Sequence, residues 1–417
     1  MVEIINIGDE LLIGQVVNTN ASWMAEQLSL SGFRVHQVTI VSDSREHILQ
    51  AFTEAEKRVE IVLISGGIGP TKDDITKITL CEFFNTRLVF NQDAFDAVEK
   101  MFARRGYPVT ELNRQQAELP AGCTGIPNPV GTARGMWFEK DRAPGEKTIF
   151  VSMPGVPFEM KAMMTDYVIP WLKKIFHTPF ILHRTILTQG IGESFLAARI
   201  ADWENGLPGN LKLAYLPQPG IVRLRLSGTG NEDQVRLQTG EAVAKLEQLI
   251  PDYIFGYDED TLEEIVGKLL LQRNATLATA ESCTGGYLAH LITGVPGSSA
   301  YFKGSVVAYA NSIKESILGI DPENLKNFGA VSEQVVTQMA LSAKNRFKAD
   351  YVIATSGIAG PGGDTPEKPV GTTWIAIATP EKVFASHYLL GDSRDRNIRR
   401  TALQALNLLR KAIRQDK

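Results

Sequence analysis

Ile61-Val62-Leu63-Ile64-Ser65-Gly66-Gly67-Ile68-Gly69-Pro70-Thr71 is the stretch on which the fold turns. A continuous apolar run leading straight into glycines reads as a parallel strand buried on both faces, ending in a loop whose backbone can approach a ligand closely. The segments before it alternate in the βαβ manner. Glu3 to Ile7 reads as a short strand, Asn20 to Leu30 as a helix with Met24 and Leu28 inward, Phe33 to Ile40 as a second strand and Arg45 to Arg58 as a second helix. That order predicts an α/β fold with an open parallel sheet, and ligands of such sheets collect at the carboxyl ends of the strands. Val352 to Pro361 echoes the stretch, with an apolar strand ending in Ser-Gly, then Ile and Gly-Pro. The surroundings differ, so the echo reads as two similar uses of a strand-end loop and not as a repeat.

The chain of 417 residues is too long for one ordinary core. With 44% hydrophobic and 22% charged residues it has the composition of a well-packed soluble protein. A net charge of -4 argues against direct nucleic-acid binding through a dedicated surface. Met1 to Ile5 has no basic segment leading into an apolar one, and no apolar run approaches the roughly 20 residues of a membrane span, so a cytoplasmic protein with no membrane partner is expected. Cys81, Cys123 and Cys283 have neither metal-ligand spacing nor the pattern of a disulfide framework. Around Pro170 the character changes. Arg184 to Thr188 and Ile221 to Leu226 alternate in the antiparallel style, while Glu193 to Ile200 and Asp233 to Leu249 look helical, which predicts a small α+β middle module ending at Asp258-Glu259-Asp260. From Thr261, a good N-cap before an acidic first turn, βα alternation returns through strands at Ser305 to Tyr309 and Tyr351 to Thr355, and it ends in an amphipathic helix from Arg394 to Ile413. The expected division is 1–169, 170–258 and 259–417.

Three features could converge in the last domain. Thr279-Ala280-Glu281-Ser282-Cys283-Thr284-Gly285-Gly286 places a hydroxyl at a strand-to-helix turn, beside backbone N–H groups able to hold a developing oxyanion. Lys314 follows Tyr309-Ala310-Asn311 just beyond an apolar strand, and Ser356-Gly357-Ile358-Ala359-Gly360-Pro361 follows another. A serine hydroxyl is a weak nucleophile until a base takes its proton. His290 lies inside the following helix, so a lysine desolvated by burial is the better candidate base. Taken singly, Ser282 also reads as an N-cap, Lys314 as a solvated helix-end lysine and the glycines as a flexible turn. In the first domain, Gly8-Asp9-Glu10 and Ser65 to Thr76 follow strands. Their glycines suit a phosphate or pterin, their carboxylates a hard cation, and Asp43 could reach the same crevice. Asp73-Asp74 reads equally as an acidic helix start.

These motifs carry a resemblance that spans almost the whole chain. Leu277 to Leu409, through Ala280 to Gly286, Tyr309-Ala310-Asn311 with Lys314, Ser356 to Pro361 and Gly391-Asp392 with Arg394, resembles the C-terminal domain of the CinA family of nicotinamide-nucleotide amidohydrolases. The resemblance implies hydrolysis of the carboxamide of nicotinamide mononucleotide without a cofactor. Ser282 would be the nucleophile and Lys314 its base. Thr284, Gly285, Gly286, Tyr309, Ser356, Gly357 and Gly360 would surround the substrate, with Arg394 or Arg396 on its phosphate. The family usually has Gly-Asp-Arg where this chain has Gly391-Asp392-Ser393-Arg394. Residues 3 to about 165 resemble the molybdopterin-binding fold at the front of CinA proteins, through Gly8-Asp9-Glu10, Gly14 with Asn18 and Asn20, Gly66 to Thr71 with Asp73-Asp74 and Thr76, Asn128 to Gly135, and Met153 to Met160. This half implies an ADP-ribose pyrophosphatase dependent on a divalent metal (magnesium or cobalt), with Gly66, Gly67, Gly69, Thr71 and Asp43 on the nucleotide and Asp73, Asp74 and Glu10 on the metal. It further implies small-molecule nucleotides as partners and a homodimer. The alternative is a non-catalytic pterin- or nucleotide-binding protein linked to competence or DNA damage.

Overall fold

The apolar runs become central strands because there helices cover both of their faces. In the computed structural model, which describes residues 1–71, 74–143 and 146–416, the chain forms two compact units, Met1–Leu182 with Thr229–Glu232, and His183–Gly228 with Asp233–Lys417.

The first unit is built on β1 (Val2–Ile7), α1 (Thr19–Leu30), β2 (Val35–Val41), α2 (Arg45–Arg58), β3 (Ile61–Ser65), α3 (Thr76–Phe83), β4 (Thr124–Ile126), β5 (Gly135–Ala143) and β6 (Glu146–Met153). Its sheet runs β2-β1-β3-β6-β5-β4. The first four strands are parallel and the remaining pairs antiparallel. Every residue of β1 and β3 is buried, as expected for strands covered on both faces. One face packs Met24 and Leu28 of α1 with Met160, Met163 and Leu172, and the other packs Ile48 and Phe52 of α2 with Leu80 of α3. Pro170, expected to end the domain, lies inside a continuous helical run from Pro157 to Ile175, directly after the π-helical turn Met164–Val168 that widens the helix where the proline offers no N–H. The neighbouring Leu172 is in this core, and the unit continues to Leu182.

The second unit begins with a four-stranded sheet of β7 (Phe180–Gln189), β8 (Leu211–Gln218), β9 (Ile221–Gly230) and β10 (Ile254–Tyr257), in the order β8-β9-β7-β10, with α4 (Glu193–Asn205) and α5 (Glu232–Leu249). The alternating burial along β9 is the period-2 pattern of a sheet with one covered face. After Thr261, which forms a capping box with Glu264, come α6 (Leu262–Gln272), β11 (Leu277–Glu281), α7 (Tyr287–Thr293), β12 (Phe302–Val307), α8 (Asn311–Leu318), α9 (Glu333–Phe347), β13 (Tyr351–Gly357), β14 (Thr372–Ala378), β15 (Val383–Leu389) and α10 (Arg394–Gln415). The strand expected at Ser305 to Tyr309 thus starts and ends earlier. This sheet runs β12-β11-β13-β14-β15, parallel for the first three strands and antiparallel for the last two. α10 buries Leu403, Leu406 and Leu409 on one face of the sheet, while α9 covers the other. The carboxyl ends of β11, β12 and β13 therefore open side by side, and three of the sequence motifs sit there.

Candidate active site

Ser282 follows β11 directly, and its N–H donates to the Thr355 carbonyl at the end of β13 (2.9 Å). Lys314 lies in the second half of the first turn of α8, pulled back under the strand ends with only 1% of its surface exposed. Its Nζ donates to the carbonyls of Ala308 (2.7 Å) and Tyr309 (3.2 Å) and lies 3.1 Å from Ser282 Oγ. Burial lowers the lysine's pKa, because desolvation disfavours its charged form. With two of its positions facing carbonyls, the amine points its third at the serine hydroxyl. The neighbouring Cys283 is no rival nucleophile, since burial pushes its thiol up to about 12 and keeps it protonated. His290 stands exposed on α7 beside Tyr287.

The loop after Ser282 departs from expectation in its donors. Gly285 N–H donates to the Ser282 carbonyl (3.2 Å). Gly286 N–H donates to Glu281 Oε2 (3.0 Å), and Glu281 also receives the N–H groups of Leu288 (3.1 Å) and Ala289 (2.8 Å). Glu281, fully buried at the end of β11, thus caps the start of α7 and takes Gly286 out of reach of any oxyanion. The N–H groups of Cys283 and Thr284 donate to no other described residue, so the available pair lies closer to the serine. Thr284 bonds through its hydroxyl to Thr355 (2.8 Å). Sequence reasoning passed over Glu281 because a carboxylate's burial is invisible until the strand has neighbours.

The remaining expected residues divide. Ser356 turns its hydroxyl onto the Ala330 carbonyl (2.7 Å), which makes it a brace for the loop. Gly357 leaves room for its neighbours, since a Cβ there would come within 2.8 Å of the Thr372 carbonyl and 3.2 Å of Cys283 Sγ. Arg394 donates to the Gly360 carbonyl (2.7 Å) and to the Tyr309 hydroxyl (2.8 Å). The two candidate arginines differ in geometry: Arg394 joins the glycine loop to the tyrosine, whereas the Arg396 side chain is exposed and makes no hydrogen bond among the described residues. Asn397, absent from the expectations, ties Ala359 to Gly391 through its amide (3.0 and 2.9 Å).

In the first unit, Glu10, Asp43, Gly66, Gly67, Gly69, Asp74 and Glu159 line one cavity of about 350 Å³ at the strand ends. Gly66 and Gly67 have φ of +117° and +66°, and a Cβ on either would lie 2.1 Å from the Ile7 carbonyl or the Thr76 hydroxyl, so only glycine fits both. Gly66 N–H already donates to the Met153 carbonyl (3.1 Å), while those of Gly67, Ile68 and Gly69 donate to no described residue, so of the expected cradle only 67–69 keep N–H groups to offer. Thr71 does not line the cavity. It donates from its N–H (2.9 Å) and its hydroxyl to Asp74 Oδ2. Asp43 accepts from the Asp9 N–H (3.0 Å). Glu159, not anticipated individually, accepts from the Asn128 amide (2.6 Å). Asp73 lies outside the described residues. Among those described, no three acidic, histidine or cysteine side chains converge on a metal-sized point. The oxygen donors suit magnesium, which is usually held by one or two carboxylates together with substrate phosphates.

Among the described residues no helix is long and apolar enough to cross a membrane. Residues 259–413 match the CinA C-terminal domain, 3–174 the probable molybdopterin binding domain and 183–256 the damage-inducible protein CinA KH domain. The chain is 47% identical to a CinA-like protein of Cytophaga hutchinsonii, over 100% of this chain and 98% of that one. It is also 47% identical to a CinA-like protein of Flavobacterium psychrophilum, over 98% of each. The solved competence/damage inducible protein CihA of Agrobacterium tumefaciens is 36% identical over 37% of this chain and 98% of its own, with a TM-score of 0.36. With full-length relatives at this identity and all three segments matched, the chain belongs to the CinA family.

Proposed function

We propose that the protein is a two-headed hydrolase of pyridine-nucleotide salvage, whose C-terminal head deamidates nicotinamide mononucleotide. The observation that carries this reading is the 3.1 Å approach of a buried, otherwise carbonyl-bound lysine amine to Ser282 Oγ. In the proposed reaction neutral Lys314 takes the serine proton as Oγ attacks the carboxamide carbon. The tetrahedral oxyanion is held by the N–H groups of Cys283 and Thr284, a contribution worth roughly 10²–10³ in rate for each donor. Lys314 then returns the proton to the departing nitrogen, which leaves as ammonia and a serine ester. Water attacks the ester, again giving its proton to Lys314, and the nicotinate nucleotide leaves as Ser282 regains its hydrogen. Arg394 is the group for the 5′-phosphate, exchanging its neutral acceptors for an anion.

For the N-terminal head we propose hydrolysis of ADP-ribose to AMP and ribose 5-phosphate, with the diphosphate on the N–H groups of Gly67 to Gly69. A divalent metal held by Asp74 and Glu10 would neutralise phosphate charge there. A second reading, in which this head binds nucleotide or pterin without cleaving it, rests on the glycine-loop cavity alone, which can hold a ligand without a metal. We also propose a homodimer, to be measured by light scattering. The deciding assay follows ammonia from nicotinamide mononucleotide in the presence of EDTA, with Ser282→Ala alongside. Release that EDTA spares and the variant loses supports the amidase, whereas no release from folded protein removes it. EDTA-sensitive AMP formation from ADP-ribose separates the two readings of the other head.

A further inference from the structure

Within the second unit a cavity of about 550 Å³ opens between the middle sheet and the C-terminal domain, lined among others by Gln189, Gly190, Gly192, Gly220, Leu390 and Arg400. Neither proposed reaction uses it. One wall is the turn from β7 into α4. Gly190 turns there with φ of +86°, a conformation that favours glycine. Gly192, the N-cap of α4, has no side chain to cap the helix. The N–H groups of Gly190, Ile191, Gly192, Glu193 and Ser194 donate to no described residue, and unspent donors at the positive end of a helix suit an anion. Two side chains point the same way independently. Gln189 is only 2% exposed, and its amide makes no hydrogen bond among the described residues. Its Oε1 is closed off without a partner, so Nε2, a donor, is the end that keeps access to the cavity. Arg400 spends Nη1 on the Leu390 carbonyl and pairs with no carboxylate among the described residues. Gly220 makes room for its stem, since a Cβ there would lie 3.7 Å from Arg400 Cγ. Among the described lining residues Glu193, exposed at the rim, is the one acid.

We propose that this cavity is an anion site for the phosphate of a phosphorylated small metabolite. The loop N–H groups and Gln189 Nε2 donate to the phosphate oxygens, and Arg400 supplies the positive charge. Buried donors are seldom left unpaired in native proteins, and a phosphate gives these an acceptor. The cavity is concave and of the size that takes a small ligand. A chain with a net charge of -4 offers no excess of positive charge along which a nucleic-acid strand could continue, so a phosphomonoester is the better occupant.

Calorimetric titration of the full chain with inorganic phosphate, with AMP and with a short single-stranded oligonucleotide tests this, repeated on Arg400→Met, Gln189→Leu and Glu193→Gln. The two proposed heads are unaltered in every variant, so the difference from the parent protein isolates the cavity. Arg400→Met is expected to weaken one phosphate site about 10–100-fold, as for a lost charge-assisted bond. Gln189→Leu should weaken it less, and Glu193→Gln should tighten it about two- to fivefold by removing an exposed like charge. AMP is expected to follow the same order. Isotherms that none of the three substitutions moves would overturn the site. Oligonucleotide binding tighter than that of AMP and lost in Arg400→Met would overturn the small metabolite in favour of a nucleic acid. If Arg400→Met fails to fold for want of its bond to Leu390, the exposed Glu193→Gln decides by sign, and phosphate binding no tighter than in the parent protein would overturn the proposal.

Discussion

The loops after β3 and β13 look alike and work differently. Each starts with a serine whose hydroxyl bonds to a neighbouring carbonyl, Ser65 to Pro154 and Ser356 to Ala330. In each a glycine follows because a Cβ would collide with the next strand, at Ile7 in one case and Thr372 in the other. Beyond that the two sites diverge. At β3 the proposed binding groups are backbone N–H groups and carboxylates spread around a cavity. At β13 the loop is a brace, and the proposed chemistry belongs to Ser282, just after β11, and Lys314 of α8, already within hydrogen-bond distance. A site assembled from buried side chains is preorganised before substrate arrives, whereas a cradle of amides and acids waits for charge to be brought in. One head should therefore fail through single substitutions, and the other through removal of an ion.

The sharpest division comes from Ser282→Ala, which is expected to lower ammonia release by about 10⁴-fold or more and to leave ADP-ribose turnover within twofold. Parallel loss of both activities, measured on one preparation, would break the two-head comparison. Lys314→Met should lower ammonia release by about 10²–10⁴-fold. In the unaltered protein release should rise with pH and level off below the ordinary lysine range near 10.4, because burial lowers this pKa. Its stability should follow. The folded state binds fewer protons than the unfolded chain between the lowered pKa and about 10.4, so unfolding free energy gains with pH across that window. Chemical denaturation of Lys314→Met across the same range should lack that gain, and an unchanged slope would sink the argument.

Smaller effects sharpen the picture. Glu281→Ala leaves the N–H groups of Gly286, Leu288 and Ala289 without their acceptor, which should cost about 3 kcal/mol in urea unfolding, given the strength of charge-assisted bonds. A loss below about 0.5 kcal/mol would mean that the carboxylate does not hold α7. Arg394→Ala should raise KM for nicotinamide mononucleotide by about tenfold, as expected for a lost ionic contact to phosphate, while Arg396→Ala stays within twofold. A reversed order would return the phosphate to Arg396.

Much of this was legible in the residues themselves. Buried parallel strands announce themselves as apolar runs such as Ile61 to Ile64, and Arg45 to Arg58 appears as a helix with the bounds expected of it. The motifs at Ser282 and Lys314 pointed to one domain and to strand ends, because βα alternation places loops there. The middle boundary was not legible. Pro170 looks like a break in isolation, but a π-helical turn just before it lets the helix run through, and the apolar residues around it had a core to join. Which N–H groups remain available was equally hidden, since that depends on Glu281 reaching α7 from the neighbouring strand end. Local pattern thus determined the order of elements, the sheet's buried strands and the residue types of both sites, all of which depend on neighbours in the chain. Tertiary structure decided that Arg394 is hydrogen-bonded to Gly360 and Tyr309 and that the Gly66 N–H is spent on Met153, because those partners lie far apart in sequence.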